Sequence, residues 1–274
     1  MSVSFSVADS YTLALDSEHE LNPMLELVDH EDRIRELKLA RPPVNALNPP
    51  LIDALAEAVA AAPRDGIRAL ILSGRPGLFS AGLDVPELLT LDRAGMIRFW
   101  QSLFGLLEHL ARSPIPVVAA FTGHSPAGGT VLGLYCDYRV MAEGDFQLGL
   151  NEVQVGLVVP PVIHRALARL IGIYPAERHL VAGLMIPAAK ALKIGLVDEL
   201  RAPEDVVARA LEWCRDHLAM PQHAMLATRT LCRADIEALF DDPNAMNTEA
   251  FAEVWFSDAT QATLKDMVAR IRKK

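Results

Sequence analysis

An α/β core followed by an all-helical tail is the fold class this sequence predicts, on three observations. Short β-type apolar runs alternate with stretches of helical periodicity from Ile34 to Leu200, as repeating strand-helix units do. Strand-like runs stop after Leu200. The 274 residues, 51% of them hydrophobic, can bury a large core. In order, IRELKL (34–39) reads as a strand and leads to a helix near Leu51–Ala62, and ALILSG (69–74) leads through a loop to a helix over Met96–Arg112. PVVAAF (116–121), YRVMA (138–142) and the run through Gln147–Gly149 continue the strands. Pro203–Leu218, Pro221–Phe240 and Ala245–Arg272 read as helices whose apolar faces are too broad for a peripheral tail to bury on its own core, which predicts contact with neighbouring subunits. The organisation implied is an N-terminal extension of unassigned role (1–30), an α/β core (31–200) and a helical oligomerisation region (201–274).

Composition excludes several function classes. Lys and Arg total 26 against 35 Asp and Glu, a net charge of −9, which opposes nonspecific binding to nucleic acid or to an anionic membrane surface. Apolar runs fall short of the roughly 18 residues a spanning helix needs. Cys136, Cys214 and Cys232 lack metal or redox spacing and read as reduced, buried core residues. The first 32 residues contain no Lys or Arg, unlike a transit peptide, and the closing RIRKK is not a peroxisomal address. The expected location is the cytoplasm, with no metal and no separate cofactor.

Three segments carry chemistry. GHSPAGG (123–129) lies between the PVVAAF strand and the small-residue run Thr130–Cys136. Glycine at a strand-to-helix turn permits close backbone approach, and the helix start leaves N–H groups aimed outward, so this loop can hold an anion, including a transient one. Gly123, His124 and Ser125 also begin a serine-hydrolase elbow. However, Pro126 has no N–H to offer an oxyanion, which leaves Gly128 as the better donor. GRPGLFSAGLDV (74–85) is a second glycine-rich loop, able to present the Leu83 N–H, with a plain turn as the alternative. In LGLNEVQVGLVVPP (148–161), Glu152 is the one ionisable side chain. Buried, it would hold a pKa near neutrality and could accept and return a proton; an exposed strand-edge Glu is the equally open reading.

Taken together and in order, FSAGLD (79–84), PAGG (126–129) leading to CDYR (136–139), LGLNEVQVG (148–156) and AERHLVAGLMIPAAKALKIGLVDEL (176–200) resemble the crotonase, or enoyl-CoA hydratase/isomerase, superfamily. Within it, the likeness is nearest to Δ3,Δ2-enoyl-CoA isomerases of mitochondrial type. The resemblance implies a crotonase-like spiral of ββα units with a helical C-terminal trimerisation region, a homotrimer or homohexamer, and a fatty acyl-CoA substrate, coenzyme A being part of that substrate. It also implies an oxyanion hole from the N–H groups of Leu83 and Gly128, and Glu152 as the catalytic carboxylate, with Asn151 beside it to help orient it. Substrate contacts would come from Val44, Ala46, Ser80 and Ala81, and Arg41 and the basic tail Arg270–Lys274 are candidates for phosphate. Hydratases of the superfamily carry a further glutamate three residues after the oxyanion-hole glycine. Here that position is Val131. Hydration needs one group to activate water and another to manage the α-proton, whereas moving a double bond needs a single base. Isomerisation of 3-enoyl-CoA to trans-2-enoyl-CoA in fatty acid β-oxidation is therefore the favoured reading. A hydratase or other crotonase-type lyase or hydrolase, with Glu143 as a displaced acid, and a noncatalytic acyl-CoA-binding protein remain open. Phe99, Trp100, Phe104 and Leu107 could line an acyl pocket or belong to the core.

Overall fold

The computed structural model describes residues 24–271. Among these residues, ten strands and eleven α-helices follow in chain order. Strands β1 (Leu25–His30) and β2 (Ile34–Leu39) form an antiparallel hairpin, with Leu25 opposite Leu39. Helix α1 (Pro49–Ala61) begins where the Asn48 side chain accepts the Leu51 N–H and proline occupies its first turn. Then come β3 (Ala69–Ser73), β4 (Gly77–Leu78), α2 (Val85–Leu88) and α3 (Arg93–Ala111), the last capped by Asp92. The next unit is β5 (Val117–Phe121), β6 (Gly123–Pro126) and α4 (Gly128–Leu134). It is followed by β7 (Tyr138–Ala142), β8 (Gln147–Gly149), a 3₁₀ turn over Glu152–Val155, α5 (Pro161–Ile171) and α6 (Ile173–Ala182). The core closes with β9 (Met185–Pro187), α7 (Ala188–Ile194) and β10 (Glu199–Arg201). The tail is α8 (Val206–Leu218), α9 (Gln222–Glu237), α10 (Thr248–Trp255) and α11 (Asp258–Ile271).

The strands sort into two sheets, ordered β1-β2-β3-β5-β7-β10 and β4-β6-β8-β9. In three successive units the first strand (β3, β5, β7) joins the larger sheet and the second (β4, β6, β8) the smaller, and the chain advances one strand in both at each turn, mostly in parallel. The central strands β3 and β5 are buried throughout, as strands covered on both faces must be. One face carries Leu70, Leu72, Ala119 and Phe121 into the main core with α1 and α3. The other sets Ile71, Val118 and Val140 against Val206, Ala210 and Cys214 of α8.

Several expectations need correction. The sheet begins at Leu25, so β1 lies inside the stretch read as an extension; only its first residue is buried, and an edge strand gives a weak apolar signal. Residues 123–126 are a strand rather than a loop, and β9 was not foreseen because three residues show no periodicity. The tail largely buries its own apolar faces: Ile236, Phe240, Trp255 and Leu264 enter the main core. It is also pinned by charge. The Asp137 carboxylate accepts from Arg229 at 2.8 and 2.9 Å and from Arg233 at 3.2 Å, while Arg233, buried, donates to the carbonyls of Leu110, Ala111 and Tyr135. CDYR is thus an anchor for α9, and removing one partner of such a buried set typically costs about 3–5 kcal/mol. Cys136 and Cys214 are buried as expected, but Cys232 is exposed on α9.

Candidate active site

The loop before α2 is laced to the segment before α1. The N–H of Ala81 donates to Val44 O at 3.0 Å, Leu47 N–H to Gly82 O at 2.7 Å and Asp84 N–H to Leu47 O at 2.9 Å. This parallel bridge between Leu47 and Leu83 uses the groups flanking Leu83, so the Leu83 N–H itself points the other way. It has no acceptor among the described residues. Ser80, fully buried, donates from its hydroxyl to Asn45 O at 2.7 Å and accepts the Gly82 N–H at 3.1 Å. Asn45 holds a left-handed φ of +50° and donates through Nδ2 to Phe79 O at 3.0 Å. Sequence reasoning passed over Asn45; its tolerance of left-handed backbone was the available signal. Arg41 is committed to Asp84 at 2.7 Å, Glu87 at 3.0 Å and Ala46 O at 3.0 Å, so it braces this loop.

The facing bend joins β6 to α4. Ala127 adopts φ +47°, ψ −120°, a region that costs an L-residue on the order of 1–3 kcal/mol. Three bonds hold it there: Ala127 N–H to Gly149 O at 2.7 Å, Val131 N–H to Ala127 O at 3.0 Å, and the Thr130 hydroxyl, which accepts Gly149 N–H at 2.7 Å while donating to Ser125 O. The bend exposes the Gly128 N–H at the helix start, where no intrahelical acceptor exists. A Cβ on Gly128 would lie 2.9 Å from Leu47 Cδ1 and 3.3 Å from Leu83 Cδ2, and one on Gly82 would lie 3.3 Å from Gly128 N. At Gly82, whose φ is +83°, glycine lets this approach happen, and it sets the backbones of Leu83 and Gly128 side by side.

Glu152 follows from the same register. Pro126 pairs with Gly149, so the strand that seats the bend delivers Glu152 three residues later. Its Oε2 is buried without a hydrogen-bond partner, and burial pushes the carboxyl up from 4.5 to about 7, against a small opposing pull from its own backbone N–H. The exposed strand-edge alternative is thereby set aside. Asn151 makes no side-chain bond to that carboxylate among the described residues; it lines a cavity of about 420 Å³ with Gln154, Val155 and, from α11, Thr263, Asp266, Met267 and Arg270. Arg272, Lys273 and Lys274 lie outside the described residues. Val131 is buried on α4 within the core. Two adjacent uncommitted N–H donors and a carboxyl titrating near neutrality can together steady a developing oxyanion and move a proton.

The family model for enoyl-CoA hydratase/isomerase matches residues 29–267. The chain belongs to that family, the crotonase superfamily. It is 32% identical over 241 residues to human mitochondrial enoyl-CoA delta isomerase 1, covering 87% of this chain and 80% of that protein. It is also 35% identical over 210 residues to a probable enoyl-CoA hydratase of Mycobacterium avium, covering 76% and 80% respectively. The crystal structure of human mitochondrial Δ3-Δ2-enoyl-CoA isomerase superposes with a TM-score of 0.85 at 31% identity, over 91% of this chain and 98% of that one.

The remaining sequence-predicted residues sort cleanly within this family fold. Val44 and Ala81 are exposed and Ala46 is buried at the rim of the laced loops. Ser125 is buried with an unpartnered hydroxyl, and exposed His124 accepts Gln147 N–H at 3.2 Å, so the two form no nucleophile-base pair. Glu143 is exposed beyond β7. Phe99, Trp100, Phe104 and Leu107 are core residues, with Trp100 stacked on Phe104 and packed on Phe251 of α10. Among the described residues no helix is long and apolar enough to cross a membrane.

Proposed function

We propose that this chain isomerises 3-enoyl-CoA to trans-2-enoyl-CoA, serving fatty acid β-oxidation. The observation that carries the reading is the contrast between Glu152, half-buried with one carboxyl oxygen buried and unpartnered and a pKa of about 7, and Val131, an apolar side chain where a second acid would be needed for hydration. Glu152 takes the C2 proton, and the C–H electron pair flows into a dienolate whose oxygen accepts from the N–H groups of Leu83 and Gly128. The same carboxyl returns the proton at C4, the double bond settles between C2 and C3, and the thioester carbonyl re-forms. Each preorganised donor is worth about 2.7–4 kcal/mol to such an intermediate, and a base whose pKa lies near the working pH is matched to the transfer.

The coenzyme A moiety would lie along Val44–Ala46 and Ser80–Ala81, where each carbonyl already engaged keeps a second lone pair. Arg270, on the cavity wall, and the residues after it remain candidates for phosphate; Arg41 does not, being triply engaged. Assembly as a trimer or hexamer would draw on apolar side chains left uncovered, and these gather on α6 and near it, at Ile173, Tyr174, Val181, Leu184 and Val153, more than on the tail. The mycobacterial hydratase relative favours a second reading, hydration of 2-enoyl-CoA. Supplying 3-enoyl-CoA and 2-enoyl-CoA separately and following 2-enoyl and 3-hydroxyacyl products decides: isomer without hydrate supports the proposal, and efficient hydration of 2-enoyl-CoA overturns it.

A further inference from the structure

Helix α11 packs on both the Glu152–Val155 turn and α2, the helix that follows Leu83. The tail therefore lies across both halves of the candidate site. Between α11 and the turn, the Thr260 hydroxyl makes the single side-chain hydrogen bond among the described residues, donating to Gly156 O at 2.8 Å. Thr260 is 3% exposed, and Ser257 Oγ stands 3.0 Å from its hydroxyl. The acceptor is well chosen. Gly156 O belongs to the peptide group whose other end is the Leu157 N–H, and that N–H donates to Glu152 O at 3.0 Å. A peptide group is planar, so a bond that fixes its oxygen also fixes the direction of its N–H. Gly156 sits at φ +79° and caps the turn, a left-handed geometry that other residues adopt with strain. A cavity of about 420 Å³ lies between the turn and α11, and on the turn's other side Gln154 donates through Nε2 to Gly183 O at 2.8 Å.

From this chain of contacts we infer that Thr260 is a positioning residue, which through the Gly156–Leu157 peptide holds the backbone of Glu152 where its carboxyl can serve both C2 and C4. The inference rests on the reading of Glu152 as the base. Thr260→Val keeps the shape and removes the donor; Thr260→Ser keeps the donor. Loss of the bond should lower kcat for 3-enoyl-CoA about tenfold with little change in KM, since misplacement of a reacting group taxes turnover more than binding. The acidic limb of the kcat/KM profile should also move to lower pH as the loosened turn admits water to the carboxyl. Thr260→Ser should restore both. Glu152→Gln, measured alongside, separates the outcomes. If it is inactive while Thr260→Val matches wild type in kcat and pH profile, the inference is overturned and the base assignment stands. If Glu152→Gln turns over normally, both fall. Should far-UV circular dichroism show Thr260→Val unfolded, Thr260→Ala replaces it, and equal kcat losses in the Ser and Ala variants overturn the inference.

Discussion

The two sides of the candidate site are built in opposite ways. On the donor side, the backbone around Leu83 and Gly128 is tied by Ser80, Asn45, Thr130 and Gly149 and braced by Arg41. On the base side, Glu152 stands on a short turn with one carboxyl oxygen bonded to nothing, its far edge held by Thr260 and its neighbour Asn151 facing a cavity. The difference follows from what each would do in the proposed isomerisation. Donors that steady an oxyanion work by being fixed before charge develops. A base that serves two carbons must keep a free oxygen and enough room to swing between them, and its pKa is raised by desolvation rather than by a partner.

The sharpest way to break this comparison is Glu152→Gln. It keeps the shape, should still bind acyl-CoA, and should lose turnover by about 10²–10⁴-fold, the range for removal of a general acid-base group; unchanged single-turnover kinetics would end the assignment. Next in size, Gly82→Ala should lower kcat by about 10²–10³-fold, the loss of one oxyanion donor, because Gly82 sits at φ +83° and the added Cβ would lie 3.1 Å from Pro126 O and 3.3 Å from Gly128 N and push the bend aside. If its kcat matches wild type, the donor side is less rigid than argued.

A third effect is on stability. The Glu152 pKa is raised from 4.5 unfolded to about 7 folded, so its contribution is fully present below about pH 4.5 and is lost as pH rises through about 7. Relative to Glu152→Gln, wild type should lose on the order of 3 kcal/mol between these limits. Denaturant melts at several pH values read this, and parallel curves for the two proteins would mean the carboxyl is solvated. The smallest effect is Ala127→Gly, which relieves the φ of +47° and should raise stability by about 1 kcal/mol while slackening the bend. A gain in stability with no loss of turnover would show that the strain has no catalytic use.

Much of this was legible in the chain itself. Glycine at 128 and 82 frees the backbone and proline at 126 removes an N–H wherever they occur, so the donor loops could be located and the serine-hydrolase elbow disfavoured without coordinates. Val131 likewise told against a second acid at that position, with Glu143 left as a displaced candidate. Glu152 could only be nominated, because an acidic residue among apolar neighbours in sequence is buried or exposed according to what packs over it. Asn151 and Arg41 were nominated too, and their side chains turned elsewhere. Thr260 carried no signal at all, since its partner lies 104 residues away at Gly156.

By itself, then, the sequence determined the alternation of strands and helices, the places where backbone approaches closely, and an apolar residue at position 131, all of which depend on local conformational preference and residue type. Tertiary structure alone decided that Glu152 is desolvated, that Ala127 is held in a strained bend, that Cys232 faces solvent while the tail covers most of its own apolar faces, and that α11 reaches back to pack on the turn. Burial, pKa and strain are set by neighbours distant in the chain, and local sequence carries no record of which neighbours those will be.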